Sequence, residues 1–173
     1  MTTKIPSDLI KNAPLFSVAQ ATVSGSSKDF TGITPNSKKI TLILNDVSVS
    51  ANEKVLYVTI GDAGGEEVSG YSGGTLGAVV ANIPSGETRT ASFIVWPSPG
   101  MADPHLISGH VTLTRLEEGS NVWVMSSVLN GGSALAIVYC AGGSKELSSE
   151  LTQLSFSTDG VFDNGNVNIL VEG

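Results

Sequence analysis

The sequence predicts an all-β protein: an antiparallel two-sheet β-sandwich of jelly-roll type with a short N-terminal arm. Three observations carry that expectation. Apolar residues recur at period two in many short runs, the mark of half-buried strands. Turn dipeptides rich in Gly, Asn and Asp separate those runs every 8–12 residues, which fits a sandwich or jelly roll. Neither a strand–helix alternation nor a repeat of fixed period is present, so a parallel sheet and a solenoid are both disfavoured.

The clearest element lies in residues 108–129. Val111 and Leu113 alternate with Thr112 and Thr114; after a polar loop, Val122 and Val124 alternate with Trp123 and Met125. A four-residue turn at Glu117-Glu118-Gly119-Ser120 places Leu113 opposite Val124 and Arg115 opposite Val122. That register buries the valines and turns Trp123 outward, and a loop one residue longer reverses the second strand's faces. Before this hairpin, residues 21–24 read as a short strand and residues 25–28 as a turn. Residues 39–50 form a long strand with Ile40, Leu42 and Leu44 on one face and a bulge at Asn45-Asp46. Residues 54–60 form the next strand, with Leu56, Val58 and Ile60 on one face. Residues 61–77, with seven glycines, read as a long loop. Strands follow at 76–82 and 90–96, joined by a turn at 83–87. Residues 97–106 carry three prolines and read as a second long loop. After the hairpin, residues 134–140 are almost continuously apolar, as in a strand covered on both faces. Residues 150–158 and 166–171 complete the set, with Asp159-Gly160 and Asn164-Gly165 as turn signals.

Residues 1–20 stand apart and 21–173 form the sandwich domain. Ser7 is placed to cap a short helix over residues 8–12, which Pro14 ends. Leu9, Ile10, Leu15 and Phe16 have no local sheet to join. The segment is either a frayed terminus or an arm that docks on another protein, and four large apolar residues favour the arm.

Composition narrows the function. At 173 residues the chain fits one domain, large enough to bury a core without disulfides or metal. Only 14% of residues are charged, against roughly 25% in ordinary soluble domains. The net charge is −7, and the nine basic residues are scattered. Nucleic-acid binding needs clustered Lys and Arg, and anionic membranes repel an acidic surface, so both are disfavoured. Residues 1–16 lack the apolar core of a secretory signal, and no apolar run is long enough to span a bilayer. Synthesis and folding in a cytosol follow as the expectation. The single Cys140 reads as a buried apolar filler.

Candidate chemistry is sparse, and the expectation is a non-enzyme without cofactor or metal. Gly61-Asp62-Ala63-Gly64-Gly65 leads into no helix and so lacks the geometry of a phosphate cradle. His105 and His110 do not have trustworthy metal-ligand spacing, even with Asp103. Asp159, Asp163 and Asn164 lack a calcium-loop pattern. Glu66-Glu67 and Glu117-Glu118 are adjacent on extended chain and point opposite ways, so neither pair converges by itself for glycan cleavage. Tyr71 and Trp96 lie at or near the two long loops. With His105 they are candidate contacts for a sugar face; the competing reading of Trp96 is closure of the core.

Several stretches, in order, resemble a bacteriophage family of tail-fibre and receptor-binding tip modules: residues 23–33 (VSGSSKDFTGI), 60–65 (IGDAGG) with 70–73 (GYSG), 108–114 (SGHVTLT) with 121–124 (NVWV), and 141–147 (AGGSKEL) with 162–170 (FDNGNVNIL). The resemblance spans about residues 22–172. It implies a virion structural protein with a β-sandwich tip, usually a homotrimer, that binds a host surface glycan without cleaving it. Leu9, Ile10, Leu15 and Phe16 would then attach it to other virion proteins. The chain departs from the family in having only about 20 residues before the module. That leaves two alternatives, a capsid decoration protein of similar fold and a glycan-degrading tail enzyme. The loop 97–106 is not a family feature and is a candidate for partner-specific contact.

Overall fold

The C-terminal strand sets the architecture. A computed structural model describes residues 15–79, 82–85, 88–97, 105–132 and 137–173. Among these, β12 (Gln153–Glu172) runs for 20 residues. Its first half pairs with β2 (Gly25–Thr31) on one side and β4 (Leu56–Asp62) on the other. Its second half pairs with β1 (Leu15–Thr22) and β3 (Lys39–Val49). The two expected turns, Asp159-Gly160 and Asn164-Gly165, therefore bend a strand rather than reverse the chain. Pairing with β3 slips between Phe162 and Asn164 and again between Asn164 and Asn166. Gly165 has φ +103°, and an added Cβ would run into the Val47 backbone. Bulges of this kind sharpen twist and let one strand serve two differently oriented stretches of sheet.

From β3 the sheet continues through β9 (Leu106–Arg115), β10 (Val122–Gly132), β11 (Ile137–Glu146), β6 (Tyr71–Val79) and β7 (Asn82–Ser85). From β4 it ends in β5 (Gly65–Glu66), and β8 (Phe93–Trp96) also pairs with β4. The result is a strongly curled antiparallel sheet of twelve strands, a half-barrel, with no helix among the described residues. The curl brings β6 back to β4. The Tyr71 hydroxyl accepts from the Ile60 N–H at 2.9 Å and donates to the Ile60 carbonyl at 3.2 Å. The core fills the inside, with Trp96 on Tyr139 (ring centroids 4.5 Å apart) and Tyr71 edge-on to Phe93 (4.8 Å). The all-β expectation and the Asn45-Asp46 bulge hold: Asp46 has φ 52°, and the β3–β9 register shifts between Leu44 and Val47.

The hairpin register differs from the expected one. Trp123 lies opposite Arg115 and Met125 opposite Leu113. The loop is closed by Leu116 N–H to Val122 O and Ser120 N–H to Glu117 O, with Gly119 at φ +78°. Trp123 and Met125 are buried, Val122 is half-buried, and Val124 is exposed. The physical reason is area: burying Trp and Met removes more apolar surface from water than burying two valines.

Other expectations change as well. Residues 25–28 lie in β2, which runs on along β12 in the direction of β1, with Gly25 at φ +71° at the break between the two strands. Much of the glycine-rich stretch 61–77 is strand, because β6 uses glycines where it meets β11 closely. The turn placed at 83–87 is partly β7, whose Ser85 pairs with Gly77. On β11, burial alternates through Ile137, Val138, Tyr139 and Cys140. One face is therefore open, and Cys140 is exposed rather than buried. The helix expected at 8–12 and most of the loop 97–106 lie outside the described residues.

Candidate functional site

The inner row of side chains at one end of the curled sheet runs Arg115–Trp123–Lys145–Tyr71 across β9, β10, β11 and β6. All four side chains are buried, and the two cations are held from outside the row. Arg115 donates to the Ser120 carbonyl and lies 3.6 Å from Glu150. Lys145 donates to Glu67 and to the Glu146 carbonyl. Buried cations without partners would be costly, so these contacts are conditions for the row to form.

Glu67 also accepts from the Ser148 N–H, and Ser148 Oγ donates to Asp62 at 2.7 Å. Asp62 accepts in addition from the Gly64 N–H at 2.7 Å. Two carboxylates thus converge on Ser148, which adjacent pairs in the sequence gave no reason to expect. Hydrogen bonds from Lys145 first, then from the Ser148 amide, hold the Glu67 carboxyl below its ordinary value. Glycoside cleavage by a carboxylate pair needs one member kept protonated. Glu67 would fit only the ionised member, and both carboxylates are taken up by donors from Lys145, Ser148 and Gly64, so the cluster acts as a latch between the two walls.

Tyr71 and Trp96 do not form the expected sugar platform. Tyr71 is 3% exposed and Trp96 is fully buried, so their faces pack in the core. Burial raises the Tyr71 phenol to about 12. Their bulk and the closeness of their strands to the sheet interior decide this, and the reading of Trp96 as core closure holds. His105 is half-buried just before β9, and His110 is exposed on the outer face of that strand. Leu15 and Phe16 lie in β1, opposite Val171 and Leu170, so the arm boundary at residue 20 falls inside a paired strand. Leu9 and Ile10 lie outside the described residues.

A different group faces solvent beside Tyr71. A depression of about 470 Å3 is lined by Tyr71, Ser72, Gly73, Thr88, Arg89 and Thr90. Exposed Arg89 stacks its guanidinium 4.5 Å from the Tyr57 ring centre and donates to the Tyr57 hydroxyl at 2.9 Å. Stacking holds the planar fork in place at little entropic cost. The arrangement offers a fixed cation among three hydroxyls, a set that matches a polyol bearing a carboxylate. The sequence signal was slight: one arginine between two threonines, in a chain short of bases. Against known proteins the chain has no match among family models, curated proteins or solved structures.

Proposed function

We propose that the chain is a non-enzymatic phage virion protein, a tail-fibre or tail-tip module that binds a glycan on the host cell surface. The ordered motif resemblance supports the family, and a two-sheet sandwich tip is the finer form the curled sheet would then take. The observation that carries the binding role is the Arg89 depression, a positioned cation with hydroxyls on an otherwise acidic protein. The favoured ligand class is an acidic saccharide, held by charge-assisted hydrogen bonds from Arg89 and neutral ones from Ser72, Thr88 and Thr90. Several weak sites on one trimer would add to useful avidity. The N-terminal segment would join the protein to the particle.

Binding of the purified protein to acidic surface polysaccharide should fall about tenfold in Arg89→Ala, the loss of one charged hydrogen-bond donor. Equal binding by Arg89→Ala and the parent protein would refute the site. Electron microscopy of particles labelled against the protein should mark the tail. A position on the capsid lattice would instead support a decoration protein. Release of new reducing ends from the polysaccharide would overturn the non-enzymatic reading.

A further inference from the structure

The outer face of the sheet carries an open apolar row. The register lines up Ile43, His110, Val128, Cys140 and Leu76 across β3, β9, β10, β11 and β6. All five are exposed, with Val128 at 51% and Leu76 at 60%. The next row along the strands is Thr41, Thr112, Ser126, Gly142 and Gly74, and the one beyond includes Thr114, Val124 and Ser144, while Ser72 at its end belongs to the Arg89 depression and lies outside the contact. In these three rows the charged side chains are Lys39 and Glu172, and they pair with each other at 2.8 Å. Scattered surface valines are ordinary; a contiguous uncharged face on a chain of net charge −7 is not.

We infer that a second copy of this chain sits on this face. Charge selects the occupant: two copies, each at −7, repel through most of their surfaces and meet with little repulsion on this face, where the carboxylate of Glu172 is neutralised by Lys39. Shape agrees. The half of the face on β12, β3 and β9 holds a groove of about 580 Å3, lined by Thr41, Ile43, Gly109, His110, Thr112 and Leu170 among others. The half on β10, β11 and β6 presents the exposed side chains of Val128, Cys140 and Leu76. These side chains of one copy enter the groove of the next, and such a contact closes into a two-fold pair or a three-fold ring. Area is sufficient. Six strands about 4.8 Å apart and three rows about 6.8 Å apart cover roughly 600 Å2 per copy. In a two-fold pair the total of about 1,200 Å2 reaches the lower limit of stable interfaces, whereas each contact of a three-fold ring buries about 600 Å2.

The inference rests on the proposed function only in treating the chain as a subunit of an assembly. Loss of glycan binding would leave it standing, and a monomer would leave the Arg89 site standing. Sedimentation equilibrium of the full chain at about 1–100 µM should give a dimer or trimer mass. Val128→Asp should reduce it to the monomer mass with an unchanged thermal melt, while Val161→Asp, exposed elsewhere, should not. Maleimide labelling of Cys140 should be slow in the concentrated parent protein and fast in Val128→Asp. A monomeric parent protein, or an oligomer that survives Val128→Asp, would overturn the proposal. So would an oligomer that dissociates only when residues 1–14 are removed, because the arm would then be the contact.

Discussion

Two polar side chains inside the fold make the sharpest tests at the residue scale. Tyr71→Phe removes the partner of the Ile60 N–H in a buried setting, and such an orphaned donor costs about 1–3 kcal/mol. Urea denaturation should show that loss with little change in slope. The same phenol, raised to about 12 by burial, ionises earlier in the unfolded chain than in the folded one. Stability is therefore fully present below pH 10 and should decline as pH rises from about 10 to 12, a decline absent in Tyr71→Phe. Glu67 works with the opposite sign. Its folded carboxyl lies below the ordinary 4.5, so its contribution is present above that value and is lost as pH falls through the lower, folded one. Acid titration of unfolding should be shallower in Glu67→Gln than in the parent protein. None of these roles was legible in the sequence. Tyr71 looked like a loop aromatic because its neighbours are glycines, and Lys145 and Glu67 are 78 residues apart.

Strand composition was readable at the level of elements, but strand contacts were not. Alternation located β3, β4 and β9 well through Ile40, Leu42 and Leu44, through Leu56, Val58 and Ile60, and through Val111 and Leu113; on β10 the run 122–125 is apolar throughout and does not by itself choose a face. Alternation misjudged β6, where glycine occupies positions that a side chain would ordinarily mark. Gly73 lies opposite Gly143, and an added Cβ at Gly73 would stand 2.7 Å from the Gly143 Cα. Gly77 lies opposite Tyr139, whose ring covers it and packs on Trp96. The absence of side chains is thus a contact requirement of the β6–β11 pair rather than a sign of loop. Gly77→Ala should destabilise the protein by roughly 1–3 kcal/mol, because the covered ring has no free direction to move. Ser72→Ala, on the exposed face of the same strand, should change the melting temperature little. A result in which the two variants melt alike would show that Tyr139 repacks freely. The hairpin register teaches a related point. A turn's length in residues fixes which face each side chain takes, and Glu117-Glu118-Gly119-Ser120 admitted two lengths. The larger buried area of Trp123 and Met125 was the available arbiter.

At the scale of the molecule, the order of the strands couples the two ends of the chain. β12 is the last strand, yet it pairs with the first four, and its two halves hold the two walls of the curl together. β1 pairs with β12 alone, and β2 likewise. Neither has a hydrogen-bonding neighbour until the final 20 residues are in place. Non-local pairing of this kind carries a large loop-closure entropy before any contact offsets it, so folding should be slow, in the millisecond-to-second range. It should also be all-or-none in length. A chain ended after Leu151 keeps the β9–β10–β11–β6 stretch but exposes the unpaired edges of β3 and β4 and opens the core around Ile40, Leu42 and Val58. Exposed edges of that length invite association. That truncation should be insoluble or should lack a cooperative melt, whereas removal of residues 1–14, which breaks none of the described pairings, should preserve the melt. A cooperative melt near the parent value for the chain ended at Leu151 would mean that the β9–β10–β11–β6 stretch is an independent folding unit, and β12 would lose its organising role.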